Sequence, residues 1–279
     1  MTSVVSLLNA VLTFLFGLVH GALKWLGPFG SLVALSFLGG ILLVWIFGKV
    51  SNQDAIRRTR SRLSAELIAL RLFKDDLRVF FRVQGQVLVW TLKYLRHSIL
   101  PMCLLMMPAV AILIQLNLHY GVRPLAVGET CLVKVKVRDA GVLAREVGPT
   151  IEAPPNLKVE TEGVRIAELR EVVWRVRGVA PGRFDLGVNV GGERVAKQMA
   201  VGGRLEGVSA VRTGGPWWTN LLYPGEAPIL PTSPIESIEI LYPPLDLAFL
   251  GWPMDWLIVF FVLSLAFGYA FKGVLGVHI

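Results

Sequence analysis

Apolar and polar positions alternate on two different scales along this chain, and the change of scale divides it. From residue 4 to 26 a faint polar stripe runs through apolar sequence. Ser6, Asn9, Thr13, Gly17, His20 and Lys24 recur every three or four positions, so they share one helical face. Such a helix suits the membrane interface, and it also suits a span whose stripe meets protein; the interfacial form is the expectation. Gly27-Pro28 ends it. Residues 29–48 then carry no charge and are long enough, at about 30 Å, to cross a bilayer as a helix. Residues 98–118 and 253–275 form two further apolar runs. Pro108 falls mid-run in the first of these and predicts a kink, whereas Pro101 falls in the first turn, where proline is tolerated.

Between the first two runs the pattern is helical but basic. Eleven Lys and Arg lie from Lys49 to Arg96, against four acids. Each of these cations would cost about 2.5–3.5 kcal/mol to insert, so residues 50–97 stay in water. Ile56, Leu63, Leu67, Leu70, Leu77 and Phe81 keep a spacing of seven, four and three. Lys74-Asp75-Asp76 offers a turn, so the expectation is an antiparallel helical hairpin. Arg57, Arg58, Arg60, Arg62, Arg71 and Lys74 make it a candidate docking surface, with a solvated pair lacking any partner as the alternative.

After residue 119 the period drops to two. CLVKVKV, NLKVET, VVWRVRGV and FDLGVNV alternate, separated by Gly and Pro. This predicts a small antiparallel β-sandwich over 120–205, of immunoglobulin-like pattern. VAPGRFDLGVNVGGERVAKQMAVG reads as a hairpin closed near Gly191-Gly192. Trp174 stands in an alternating run and can face either side. Residues 206–252 hold seven prolines between Pro216 and Pro244 and read as a connector. It is either a strap at the membrane surface or a docking strap for another subunit.

Composition sharpens this picture. The chain is 54% hydrophobic, with mean hydropathy +0.60. Those values point to an integral membrane protein. The net charge of +8 is concentrated in the basic segment, while residues 119–252 carry fifteen basic and fifteen acidic side chains. The excess therefore reads as an orientation signal and an attraction to anionic lipid, not as a nucleic-acid footprint. By that signal residues 50–96 and the C-terminus are cytoplasmic and the β region is periplasmic or extracellular, in what is expected to be a bacterial inner membrane. Trp217, Trp218, Trp252 and Trp256 are expected anchors at the outer interface, and Lys272 at the inner one. No signal peptide is read at the N-terminus.

Catalytic signatures are absent: there is no GxSxG, HExxH or phosphate loop, so neither an enzyme nor a cofactor is expected. Cys103 and Cys131 are not expected to pair. His20, His97, His119 and His278 read as hydrated boundary residues. Met102, Met106 and Met107 beside Pro108, with Gln115 further on, form a candidate surface for apolar partners, because thioethers adapt to varied shapes. Gap filling between helices is the plainer alternative.

Leu95-Arg96-His97-Ser98-Ile99-Leu100-Pro101-Met102 through Met107-Pro108 and Gln115 resembles the region following the cytoplasmic hairpin in the YidC insertase superfamily, especially its minimal three-span archaeal-type members. SNQDAIRRTRSRLSAELIALRLFKDD looks like the start of that family's hairpin. The resemblance covers about residues 4–118 and, loosely, 253–279. It implies a membrane protein insertion or assembly factor. The hairpin would meet ribosome or targeting factors, and the three spans would form a groove for a nascent client. The other expectation is a scaffolding subunit of a larger membrane complex, held to its partners through the outer sandwich. The expected organisation is therefore residues 1–49 (first helix and span), 50–97 (hairpin), 98–119 (second span), 120–205 (sandwich), 206–252 (connector) and 253–279 (third span and C-terminus).

Overall fold

A computed structural model of the chain describes residues 2–51, 54, 58–59, 61–65, 68, 77–144, 148–203, 207–249 and 251–277. They form two compact units: Met1–Ser31 with Leu113–Trp256, and Leu32–Ile112 with Leu257–Ile279.

In the first unit the helix α1 (Thr2–Leu23) is followed by a short 3-10 turn (Lys24–Leu26). Gly27 then ends the turn at φ 73°, a conformation that glycine adopts without strain. The predicted break therefore stands, and a second helix, α2 (Gly27–Val50), starts there. The face that α1 buries is the polar one. Asn9 and His20 are buried, while Leu7, Phe14, Leu15 and Leu18 are exposed. The stripe thus meets protein.

The β region folds into two principal sheets. The larger holds β1 (Thr130–Val137), β3 (Leu157–Val159), β4 (Val164–Ile166), β5 (Glu171–Gly178), β8 (Val211–Thr213) and β9 (Ile235–Ile240). Its order is β3-β5-β1-β9-β8, with β4 also beside β5. The smaller sheet pairs β2 (Thr150–Glu152), β6 (Gly182–Val190) and β7 (Glu193–Val201) in the order β2-β6-β7. Period-two patterning sets the core. Val133, Val135, Val172, Trp174, Val176, Leu186, Val188 and Met199 point inward, while Lys134, Arg175 and Arg177 do not. Trp174 is thereby placed on the core face. The β6–β7 hairpin closes as expected at Gly191 and Gly192. Their φ values of 59° and 86° are those a two-residue primed turn requires.

The connector assigned to 206–252 is corrected. Its IESIEI stretch is β9, hydrogen-bonded between β1 and β8 inside the larger sheet. Ile235, Ile238 and Ile240 are all buried. The spacing of three between the first two breaks simple alternation, and a register shift at Lys136/Val137 absorbs it as a bulge. Prolines flank this strand without entering it, so a proline-dense stretch still contributes a ladder strand. A short helix, α4 (Trp217–Leu222), and a small β10–β11 hairpin (Leu247–Phe249 with Trp252–Met254) complete the region.

The second unit is helical. Helix α3 runs without interruption from Leu77 to Tyr120, 44 residues or about 66 Å, with Pro101 and Pro108 inside it. The expected boundary at 97/98 between hairpin and span is therefore not a break in the backbone. A change from charged to apolar side chains alters the preferred solvent, not the hydrogen-bond ladder. A proline within an apolar helix removes one bond that neighbouring groups can compensate. Residues 61–65 are also helical. The Arg62 guanidinium stands 5.9 Å from the Trp90 ring. The expected turn at 74–76 lies outside the described residues, as do Arg57, Arg60, Arg71 and Lys74.

The last helix, α5 (Trp256–Phe271), has 16 residues, about 24 Å. It is shorter than the expected 253–275 at both ends: Trp252–Met254 is spent on a strand, and the chain turns after Phe271. Helices α2 and α5 approach through small residues. A side chain at Gly40 would strike the Ser264 carbonyl, and one at Gly268 would meet Val44 Cγ2 at 2.9 Å. Ser36 with Gly40, and Ser264 with Gly268, repeat at four-residue spacing, as in close membrane-helix pairs. Phe37 fills the next space, edge-on to Phe267 and Phe271 at 5.3 and 5.4 Å.

Candidate functional site

The polar stripe of α1 leads to a buried cluster where three helix ends meet. Tyr120, fully buried at the end of α3, donates its hydroxyl to Ser31 Oγ at 2.7 Å, and Ser31 in turn donates to the Pro28 carbonyl. The same hydroxyl lies 3.3 Å from His20 Nδ1. The His20 and His119 rings meet at a tilt, 4.6 Å between centroids, and Phe16 packs on His119 at 5.4 Å. One turn earlier Gln115 Nε2 donates to Thr13 Oγ1 at 3.1 Å. At the other end of α1, Asn9 Nδ2 donates to the Asn220 carbonyl of α4 at 2.7 Å. Buried polar groups need such partners, so together these bonds register α1 on the unit.

Two expectations are corrected here. His20 and His119 are buried and packed on each other rather than hydrated. Gln115 is buried against Thr13, so it does not belong to a client surface. The polar stripe itself carried the missing signal: a helix that buries Asn, Thr and His at one spacing needs polar residues opposite it.

A cleft of about 1010 Å³ opens beside this cluster. His20, Gly21, Lys24 and Trp25 line it from α1 and the turn, Gly27, Pro28 and Ser31 from α2, and Arg123–Ala126 from the loop after α3. Gly202, Gly203 and Leu245 close it. Arg123 forks onto Glu129, its two terminal nitrogens 2.8 and 2.9 Å from the carboxylate oxygens. This fork, with the Ala126 amide, holds Glu129 down at a pKa of about 2.

The free edge of β7 is closed by side chains. Arg212 donates to the Ala196 carbonyl, Gln198 N donates to Glu226, Lys197 Nζ donates to the Gln198 carbonyl, and Ala200 N donates to the Tyr242 hydroxyl. With the Leu125 backbone, which bridges to Val201 and donates to the Ala200 carbonyl, these side chains satisfy the edge. Lys197 is fully buried and reaches Glu226 and the Ser209 carbonyl. Burial lowers its pKa, and Glu226 opposes that shift. Burial also pushes the Cys131 thiol up to about 12 and raises Tyr242, so neither ionises near neutrality. Cys103 and Cys131 are both free thiols.

The remaining candidates fall in separate surroundings. Met102, Met106 and Met107 are exposed on α3, the last at 76%, with Pro108 half-buried. Arg58 and Arg62 are exposed. Trp217, Trp218 and Trp252 are exposed, as interface anchors would be, but Trp256 is buried, which corrects its assignment. Lys272 Nζ caps the Tyr269 ring at 3.5 Å. Compared with known proteins, the chain matches no family model, no curated protein and no solved structure.

Proposed function

We propose that this chain is a non-enzymatic membrane protein insertion or assembly factor of YidC-like type. In this reading α2, α3 and α5 are its spans and the β unit stands on the extracytoplasmic side of a bacterial inner membrane. The observation that carries the reading is α3. One uninterrupted helix joins a basic stretch, with Arg82, Lys93 and Arg96, to an apolar stretch presenting Met102, Met106 and Met107 outward. A basic foot suits a ribosome or targeting factor, and exposed thioethers suit varied apolar segments. Two helices are long and apolar enough to span. α1 supports a lipid surrounding as well, because it buries its polar face and exposes its apolar one, the reverse of a helix in water.

Photocrosslinkers at Met102 and Met107 test the proposal during synthesis of a membrane client in native vesicles. Crosslinks to the nascent segment are expected. Crosslinks only to lipid and to stable companions sink it.

A second reading, a scaffolding subunit, draws on the fastening of α1 to the β unit through Asn9 and Asn220. It predicts stoichiometric co-purification with a larger complex in mild detergent, and a monodisperse, solitary protein counts against it.

A further inference from the structure

The cleft beside His20 lies where α1 ends, α2 begins and α3 ends. If those helices meet lipid, all three ends sit at headgroup depth on the outer side. We propose that this cleft binds the phosphodiester headgroup of a membrane lipid.

The walls suit that ligand. Lys24 and Arg123 bring cationic groups to the cleft, and His20 lines it beside Ser31, whose hydroxyl is already bonded to Tyr120 and the Pro28 carbonyl. Cationic donors are the usual partners of a phosphate. The acids facing the site are Glu129, already forked by Arg123, and Asp246, exposed and electrostatically close to Arg123. They leave a mixed field, which fits a zwitterionic or singly charged phosphodiester better than a polyanion. Space is also present. A Cβ at Gly21, Gly27 or Gly203 would meet nothing within 4 Å. Free phosphate needs no apolar wall, yet Trp25, 82% exposed, lines the cleft together with Pro28 and Leu245. Along α1, Leu18, Leu15 and Phe14 continue the apolar surface outward from Trp25, a path for acyl chains. Tryptophan is the side chain that best suits this boundary of apolar and wet surroundings.

Native mass spectrometry of the full chain, delipidated and retitrated in detergent, tests the site. Phosphatidylethanolamine, diacylglycerol and inorganic phosphate serve as probes. One saturable phosphatidylethanolamine adduct is expected. Lys24→Gln should weaken it about tenfold, the size of one lost charge-assisted bond, and Lys24→Arg should retain it. Gly21→Phe should fill the space and abolish the adduct; its Cβ meets nothing within 4 Å, and a retained melting transition separates a blocked cleft from a lost fold. Equal binding of diacylglycerol, or an unchanged adduct in Gly21→Phe, overturns the proposal. Displacement of the lipid by equimolar phosphate overturns its lipid character. The site depends on the membrane reading of the helices but not on insertase activity: an adduct without client crosslinks removes the proposed function and leaves the site.

Discussion

The β unit and the helical unit solve the same problem with opposite materials. The β unit closes its core with valines, isoleucines and Trp174, and then ties its margins with buried polar pairs: Lys197 to Glu226, Tyr242 to the β7 backbone, Gln115 to Thr13. The helical unit buries little and exposes large apolar side chains: Leu92, Met107, Phe261 and Leu265 all face outward. Helices α2 and α5 meet through Gly40, Gly268 and the Ser264 backbone instead. In water the hydrophobic effect drives burial and polar bonds add specificity. Under the proposed membrane reading lipid supplies no such drive between helices, and close backbone approach takes its place. On that reading, an outward leucine is a liability in one unit and the normal surface of the other.

Removing half of the buried ion pair should break the comparison most strongly. Glu226→Ala leaves the buried Lys197 charge without its counter-ion, with only neutral acceptors of Ser209 and Gln198 beside it, and should destabilise the β unit by about 3–5 kcal/mol, whereas Lys197→Met with Glu226→Leu should cost far less. Thermal melts in detergent, followed by limited proteolysis of the β unit, read the difference. Equal losses in the single and double variants would show that the pair is not the fastening.

Next in size, Gly40→Leu should loosen the α2–α5 packing by about 1–3 kcal/mol without touching the β unit. Cysteine crosslinking between positions 36 and 264, before and after the change, reports it. Tyr120→Phe keeps the ring but removes the hydroxyl that reaches Ser31. A loss of about 1 kcal/mol is expected. If stability holds, the cluster is packed rather than bonded.

The smallest effect is in acid. The Glu129 carboxyl is lowered from 4.5 to about 2 in the folded chain. Between those values the unfolded chain takes up a proton that the folded one refuses, so stability is full above pH 4.5 and falls toward pH 2. Glu129→Gln should flatten that slope slightly, since the pair is partly exposed and screened. An unaltered acid profile would remove Glu129 from the balance.

The hydropathy pattern alone determined much of this protein. Gly27 as a break, the β6–β7 turn at Gly191-Gly192 and the inward valines of β1 were all legible, because each depends on neighbours within a few residues. Tertiary structure decided the rest. Ile235–Ile240 became a strand because β1 offered a free edge about a hundred residues away in the chain, which no local propensity records. His20 and His119 came together because two helix ends meet, and the unbroken α3 passed a chemical boundary that side chains mark but the backbone ladder does not. Period and turn chemistry are properties of adjacent residues. Which faces meet is set by packing between distant ones, and the cluster and its cleft exist only at that level.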